Sequence, residues 1–274
     1  MNKLLQRSVT AVILLAVLLV VFFALPPAAA IVLIGAFIVA GAWEWAAFAG
    51  WPATLGRLAY AGFIFALLLI VAELRRRGGP TAWIVWAGLA WWCCAFVLVL
   101  RYPVRVGAWA TALCGILIML PVWVAALAIL GSASGGPGML LYALAMVWAA
   151  DVGAYFTGRR IGRVRLAPQV SPGKTWEGVI GGLIVAVAVA AGGGVALGLT
   201  PRAAAALAVP LGLSLALVSV LGDLTVSLFK RNAGLKDSGS LFPGHGGVLD
   251  RVDGVCVALP LFAALLHQNG LIDL

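Results

Sequence analysis

The stretch "ALCGILIMLPVWVAALAIL", residues 112–130, runs for nineteen residues without a charged side chain. A helix rises about 1.5 Å per residue, so about 20 residues cross a hydrocarbon core about 30 Å thick. The run therefore reads as a membrane-spanning helix. Similar segments fall at about 8–25, 28–49, 57–74, 81–100, 106–131, 138–158, 177–199, 203–229 and 249–268. Turn-rich punctuation separates them: "GWPATLGR" (50–57), "RRRGGP" (75–80), "RYPVR" (101–105) and "GSASGGPG" (131–138). Across all 274 residues 64% are apolar and only 10% charged, with a mean hydropathy of +1.13. The fold class is all-α: a polytopic membrane helical bundle of about nine transmembrane helices. A β-barrel would instead alternate apolar and polar residues over segments of about 10.

The first run has a basic start (Lys3, Arg7) and small residues at 28–30, as a signal peptide would. It is long for one and a second long run follows at once, so a retained helix is expected. The four cysteines, Cys93, Cys94, Cys114 and Cys256, lie in apolar runs and form no C-x-x-C pair, so buried free thiols are expected. Eleven tryptophans read mainly as packing and interfacial residues. Gly178, Gly181 and Gly182 suit close helix contact. Glu44, deep in an apolar segment, has no evident local role.

The net charge of +9 does not point to nucleic acid here, because the basic residues sit in loops beside membrane segments. With the N-terminus inside, fourteen of the 18 Lys and Arg residues fall on inside segments and four outside. That bias predicts N-terminus in and C-terminus out, with the triplet Arg75–Arg77 as the awkward outside item. The two long polar loops, 159–176 and 230–248, are two helices apart and so share one side, the cytoplasmic one. The chain divides into residues 1–137, helices 1 to 5, and residues 138–274, a catalytic region of helices 6 to 9 with those loops.

Six of the nine acidic residues fall between 151 and 253. An ionised carboxylate in a membrane helix costs roughly 2.5–3.5 kcal/mol on insertion scales, so such residues are functional candidates. Asp223 lies seven residues before Lys230, on the same helix face but too distant for a direct pair. Asp250 and Asp253, at i and i+3, share one face of the last helix start, with Arg251 turned away. Helix capping explains one such acid; two or three converging carboxylates make a site for a hard cation such as Mg²⁺. Three of the four lysines, Lys174, Lys230 and Lys236, lie in the polar loops among glycines. Glycine lets backbone N–H groups approach a ligand, and lysine supplies charge for phosphate. Together these point to a membrane enzyme acting on a phosphorylated substrate, although no P-loop is present.

The run Ser227–Asp253, "SLFKRNAGLKDSGSLFPGHGGVLDRVD", then becomes specific. It resembles the signature of the phosphatidate cytidylyltransferases, or CDP-diacylglycerol synthases. "ADVGAYFTGRRIG" (150–162), "LAPQVSPGKTWEG" (166–178), "LPP" (25–27) and "AWEW" (42–45) resemble other parts of that family. One departure is "GRVR" (162–165), where Arg163 and Arg165 stand in place of the expected lysines. The resemblance implies cytidylyl transfer from CTP to phosphatidic acid, Mg²⁺ with a second cation such as K⁺, and a homodimer. It also implies an integral protein of the bacterial inner membrane.

On that reading Asp223 and Asp250 are the principal metal ligands, with Asp253 and Asp237 as further candidates. Lys230, Arg231 and Lys236 would neutralise the triphosphate, and Ser171, Lys174 and Thr175 would hold phosphate from the neighbouring loop. His245 would touch phosphate or organise the glycine turn. Gly246, Gly247 and Arg251 complete the substrate-binding set, and Asp151 and Glu177 orient the lysines or join the cation site. A transporter would spread its charges along a midplane path, and the motif of CDP-alcohol phosphotransferases is not found. A purely structural membrane protein leaves the clustered acids unexplained.

Overall fold

The computed structural model describes residues 3–132, 136–241 and 246–274. Five helices come first: α1 (Lys3–Phe23), α2 (Pro27–Phe48), α3 (Thr54–Arg76), α4 (Ala82–Leu100) and α5 (Ala108–Leu130). Then come α6 (Gly136–Ile161), a hairpin of β1 (Arg165–Ala167) and β2 (Ser171–Thr175), α7 (Trp176–Ala196) and α8 (Pro201–Asn232). The chain closes with a short α9 (Leu249–Val252) and α10 (Val255–Gln268).

Helices α2 to α8 are the seven that are long and apolar enough to cross a membrane, among the described residues. The chain is thus an integral membrane helical bundle, but the expected count of about nine divides differently. The segment at 249–268 is broken near Gly254 into α9 and α10. At 14 residues α10 is about 21 Å long, short of a 30 Å core. At the other end α1 is a 21-residue helix.

Local signals set the helix starts. Pro27 and Pro201 occupy first turns, where a missing N–H costs nothing. Thr200 and Thr175 cap α8 and α7 through their hydroxyls, accepting from Ala203 N–H at 3.3 Å and Gly178 N–H at 3.2 Å. The hairpin between α6 and α7 was not expected. "SPGKT" reads as a loop, and its antiparallel pairing with Arg165–Ala167 supplies the regularity.

Helix α5 is the central post: 72% of its most apolar window is buried, against 28–39% for the other spans. Trp45 and Tyr60 bind its carbonyls, at Thr111 (2.8 Å) and Ala112 (2.7 Å). Helices α6 and α7 meet almost backbone to backbone. A Cβ on Gly178 would press on the Ala154 carbonyl, one on Gly182 on the Ala150 carbonyl, and one on Gly181 on the Thr157 side chain. The expectation for these three glycines is met, and the mechanism is the small-residue contact of membrane helices.

Cys114 and Cys256 are buried, but Cys93 and Cys94 are exposed on α4, and all four are free. An apolar run does not distinguish core-facing from lipid-facing residues, which is why buried thiols were expected throughout. The Arg75–Arg77 triplet is partly neutralised, since Glu73 pairs with Arg76 at 2.7 Å and Arg77 at 2.6 Å. Arg75 donates to the carbonyl of Asp273, so the end of α3 and the C-terminus share one end of the bundle.

The opposite end gathers the other polar loops. Asn232 donates to the Val104 carbonyl at 2.9 Å, joining the end of α8 to the α4–α5 turn. Arg231 donates to the Val170 carbonyl at 3.4 Å, joining α8 to the hairpin. The α2–α3 turn lines a cavity with Asn232 and Val106 at the same end.

Candidate active site

The last turns of α8 carry Asp223, Ser227, Lys230 and Arg231 on a mostly apolar helix. Spacing i, i+4 lets the Ser227 hydroxyl donate to Asp223 Oδ1 at 3.2 Å. Asp223 and Lys230 do not meet; each finds a partner on another element. Lys174 Nζ, from β2, stands 2.6 Å from Asp223 Oδ2. Lys230 Nζ stands 2.6 Å from Asp250 Oδ1 on α9. Two ion pairs thus tie α8 to the hairpin on one side and to the start of the last helices on the other.

The two pairs differ in access. The Lys230 and Asp250 side chains keep 10% and 8% of their exposure, those of Lys174 and Asp223 23% and 30%. Asp250 is saturated: besides Lys230 it accepts at Oδ2 from Ser238 N–H (2.9 Å) and Gly247 N–H (3.0 Å), and it shares the single Ser238 hydroxyl proton, at 3.0 Å, with Glu44. Burial, the largest influence, pushes its carboxyl up. The Lys230 and backbone hydrogen bonds outweigh that and hold it below the usual carboxylate range.

Asp253, expected to share a face with Asp250, has a different hydrogen-bond partner. Its Oδ1 accepts from Gly254 N–H at 2.8 Å, and its charge acts on Asp223, Lys174 and Asp151. Burial, then the Asp223 carboxylate, push the Asp253 carboxyl well above its ordinary value. Close approach explains the arrangement: Gly222 has no room for a Cβ against the Asp253 carbonyl, so α8 and the α9–α10 junction touch directly. Asp151, from α6, lies within electrostatic reach of Lys174 and Asp223.

Glu44 is the residue that sequence reasoning left without a role. It comes from α2, is 4% exposed, and accepts three hydrogen bonds. The donors are Ser238 O–H (2.7 Å), Val248 N–H (2.8 Å) and Leu249 N–H (2.9 Å). A Cβ on Gly239 would press on its carboxylate, and one on Gly247 on the Ser238 hydroxyl and that carboxylate. The loop glycines were expected to bring backbone to phosphate. In the structure Gly247 brings it to Glu44 and Asp250, and Gly246, at φ +83°, passes beside Asp250 Oδ2.

The other expected residues are placed as follows. Thr175 is buried as the cap of α7, and Ser171 opens β2. Glu177 accepts from Val164 N–H at 3.2 Å and so braces the hairpin. Arg231 also donates to the Leu235 carbonyl at 3.1 Å, which fixes the turn after α8. Lys236, Asp237 and Arg251 are exposed. His245 lies outside the described residues.

No group of three or more His, Cys, Asp or Glu side chains stands ready to hold a metal among the described residues. The donor chemistry fits a hard cation at Asp223, whose partly open carboxylate is offset here by Lys174.

Fold and site together define a membrane-embedded class with apolar spans and, at one end, two lysines each held by a carboxylate of another element. The family model described as "Cytidylyltransferase family" matches residues 5–268. A phosphatidate cytidylyltransferase of Pseudomonas aeruginosa is 45% identical over 269 residues, covering 97% of each chain. One of Haemophilus influenzae is 36% identical over 278 residues, covering 94% of this chain and 96% of its own. One of Staphylococcus aureus is 37% identical over 212 residues, covering 76% and 80%. The chain belongs to the cytidylyltransferase family.

Proposed function

We infer that this chain transfers the cytidylyl group of CTP to phosphatidic acid, giving CDP-diacylglycerol and pyrophosphate. The relatives' names support the substrates. The observation that carries the reading is the pair of lysine–carboxylate bridges, Lys174–Asp223 and Lys230–Asp250, at one end of the spanning bundle. Phosphatidic acid keeps its tails in the bilayer while CTP comes from water, so their meeting place is a bundle end.

A phosphate oxygen of the lipid forms a bond to the α-phosphorus of CTP. The bond from that phosphorus to the oxygen bridging to the β-phosphate breaks, and pyrophosphate leaves with the electron pair. Such transfers need positioning and charge neutralisation more than covalent help. A phosphate monoester is already anionic near pH 7, so no general base is required. Lys230 and Arg231 are held rigidly at the end of α8, and Lys236 stands exposed beyond it, so they are assigned to the triphosphate. Lys174 is half-open and pairs with the lipid phosphate or the nucleotide from the hairpin side.

Asp223 would hold Mg²⁺, with Asp253 and Asp151 as further carboxylates. Asp250, whose oxygens already meet four donors, serves as the anchor of Lys230. Bound there, Mg²⁺ supplies charge neutralisation for the triphosphate and the leaving pyrophosphate. A second cation such as K⁺ and a homodimer belong to the same reading through the family resemblance alone. The bacterial relatives, the seven spans and the distribution of basic residues favour an inner-membrane protein with its site on the cytoplasmic face. In that placement α1 and the α9–α10 unit bring the total to about nine membrane-inserted segments.

The test is product analysis with purified protein and labelled CTP. Phosphatidic acid should give labelled CDP-diacylglycerol; CDP-diacylglycerol plus an alcohol should give no phosphodiester lipid. The reverse pattern would replace this reading with a CDP-alcohol phosphotransferase.

A further inference from the structure

We propose that Glu44 of α2 is a positioning residue for the reaction: through Ser238 and the entry to α9 it sets Asp250, and through Asp250 it sets Lys230. The proposal rests on the cytidylyl-transfer reading of this site and names a residue far from it in sequence.

The geometry is a relay. Glu44 lies 194 residues before Ser238 and 204 before Val248, yet it accepts from both. Its Oε2 takes the Ser238 hydroxyl at 2.7 Å and Leu249 N–H at 2.9 Å, and its Oε1 takes Val248 N–H at 2.8 Å. The same Ser238 hydroxyl lies 3.0 Å from Asp250 Oδ2, and Ser238 N–H reaches that oxygen at 2.9 Å. Asp250 Oδ1 then holds Lys230 Nζ at 2.6 Å.

A buried carboxylate needs compensation. No Lys or Arg pairs with Glu44 among the described residues; hydroxyl and backbone donors from one loop surround it instead. That loop is the one whose neighbouring carboxylate grips the active-site lysine. Gly239 and Gly247 add a steric argument. A Cβ on Gly239 would meet the Glu44 carboxylate, and one on Gly247 the Ser238 hydroxyl and then that carboxylate, so the loop closes tightly over this side chain. A helix of the N-terminal half therefore fixes the register of the reactive loop.

Displacements of about 1 Å in a catalytic group cost up to about a hundredfold in rate. Glu44→Gln keeps shape but turns one acceptor into a donor facing donors. It should lower kcat about ten- to a hundredfold while leaving KM for phosphatidic acid within about twofold. Ser238→Ala, which keeps every backbone donor to Glu44 and Asp250, should fold and lower kcat in the same sense by a smaller factor.

The decisive measurement is a double-mutant cycle on folded, detergent-purified protein. If Glu44 acts through Asp250, then Glu44→Gln adds little to the loss already caused by Asp250→Asn. Losses that multiply, or a folded Glu44→Gln protein with kcat unchanged, would overturn the proposal. If Glu44→Gln does not fold, Ser238→Ala carries the same cycle with the same two outcomes. A starting protein that makes no CDP-diacylglycerol would instead defeat the functional reading beneath it.

Discussion

Lys230 Nζ lies 2.6 Å from Asp250 Oδ1, and the two side chains keep 10% and 8% of their exposure. A buried pair is expensive to split, because the survivor is left charged and unpaired. Asp250→Ala should therefore cost about 3–5 kcal/mol of stability. A fall in the thermal midpoint of the detergent-solubilised protein checks this. Asp250→Asn keeps the acceptor for Ser238 and Gly247 and should unfold less readily than Asp250→Ala.

Lys174 and Asp223 form a pair of the same length but with more access to water. Open pairs of this kind contribute only about 0–1 kcal/mol. Lys174→Met should consequently leave the thermal midpoint nearly unchanged while removing most of the turnover. Thermal scans and initial rates on one preparation separate the two effects.

Chelation offers a third check. EDTA should stop CDP-diacylglycerol formation and added Mg²⁺ should restore it. The bundle should stay folded throughout, since its helices are held by an apolar core and close small-residue contacts.

Gly182 has no room for a Cβ against the Ala150 carbonyl, whereas Gly62 on α3 faces open space. Gly182→Val should lower stability by about 1–3 kcal/mol by prising α7 from α6. Gly62→Ala should be neutral or stabilising by up to about 1 kcal/mol, because alanine is the better helix former. Thermal midpoints of the two variants are the measurement.

The apolar runs were legible because membrane insertion demands about 20 residues without charge, and α2 to α8 follow that demand. The contacts of Gly178, Gly181 and Gly182 were legible for the same reason, since small residues are what let helices touch in lipid. What escaped was long-range. Lys174 precedes Asp223 by 49 positions, and Glu44 precedes its donors by about two hundred. Spacing rules cover a few helical turns and give no sign of such partners. A lone acid in an apolar helix was the one available signal for Glu44, and its cost in lipid was reason enough to seek a partner. The split between Asp250 and Asp253 was hidden for a different reason. Asp253 and Gly254 keep helical backbone angles, so the i, i+3 spacing was legible, but the partners that tell the two acids apart, Lys230 and Ser238 for Asp250 and Gly254 N–H for Asp253, were not.

The central claim is that Asp223 sits where the cytidylyl group is transferred. The measurement that tests it most directly is turnover of CTP and phosphatidic acid by Asp223→Asn protein whose folding is verified in the same sample. Loss of nearly all CDP-diacylglycerol and pyrophosphate formation, with the thermal midpoint kept, is the expected result. Turnover close to that of the unaltered protein would contradict the account.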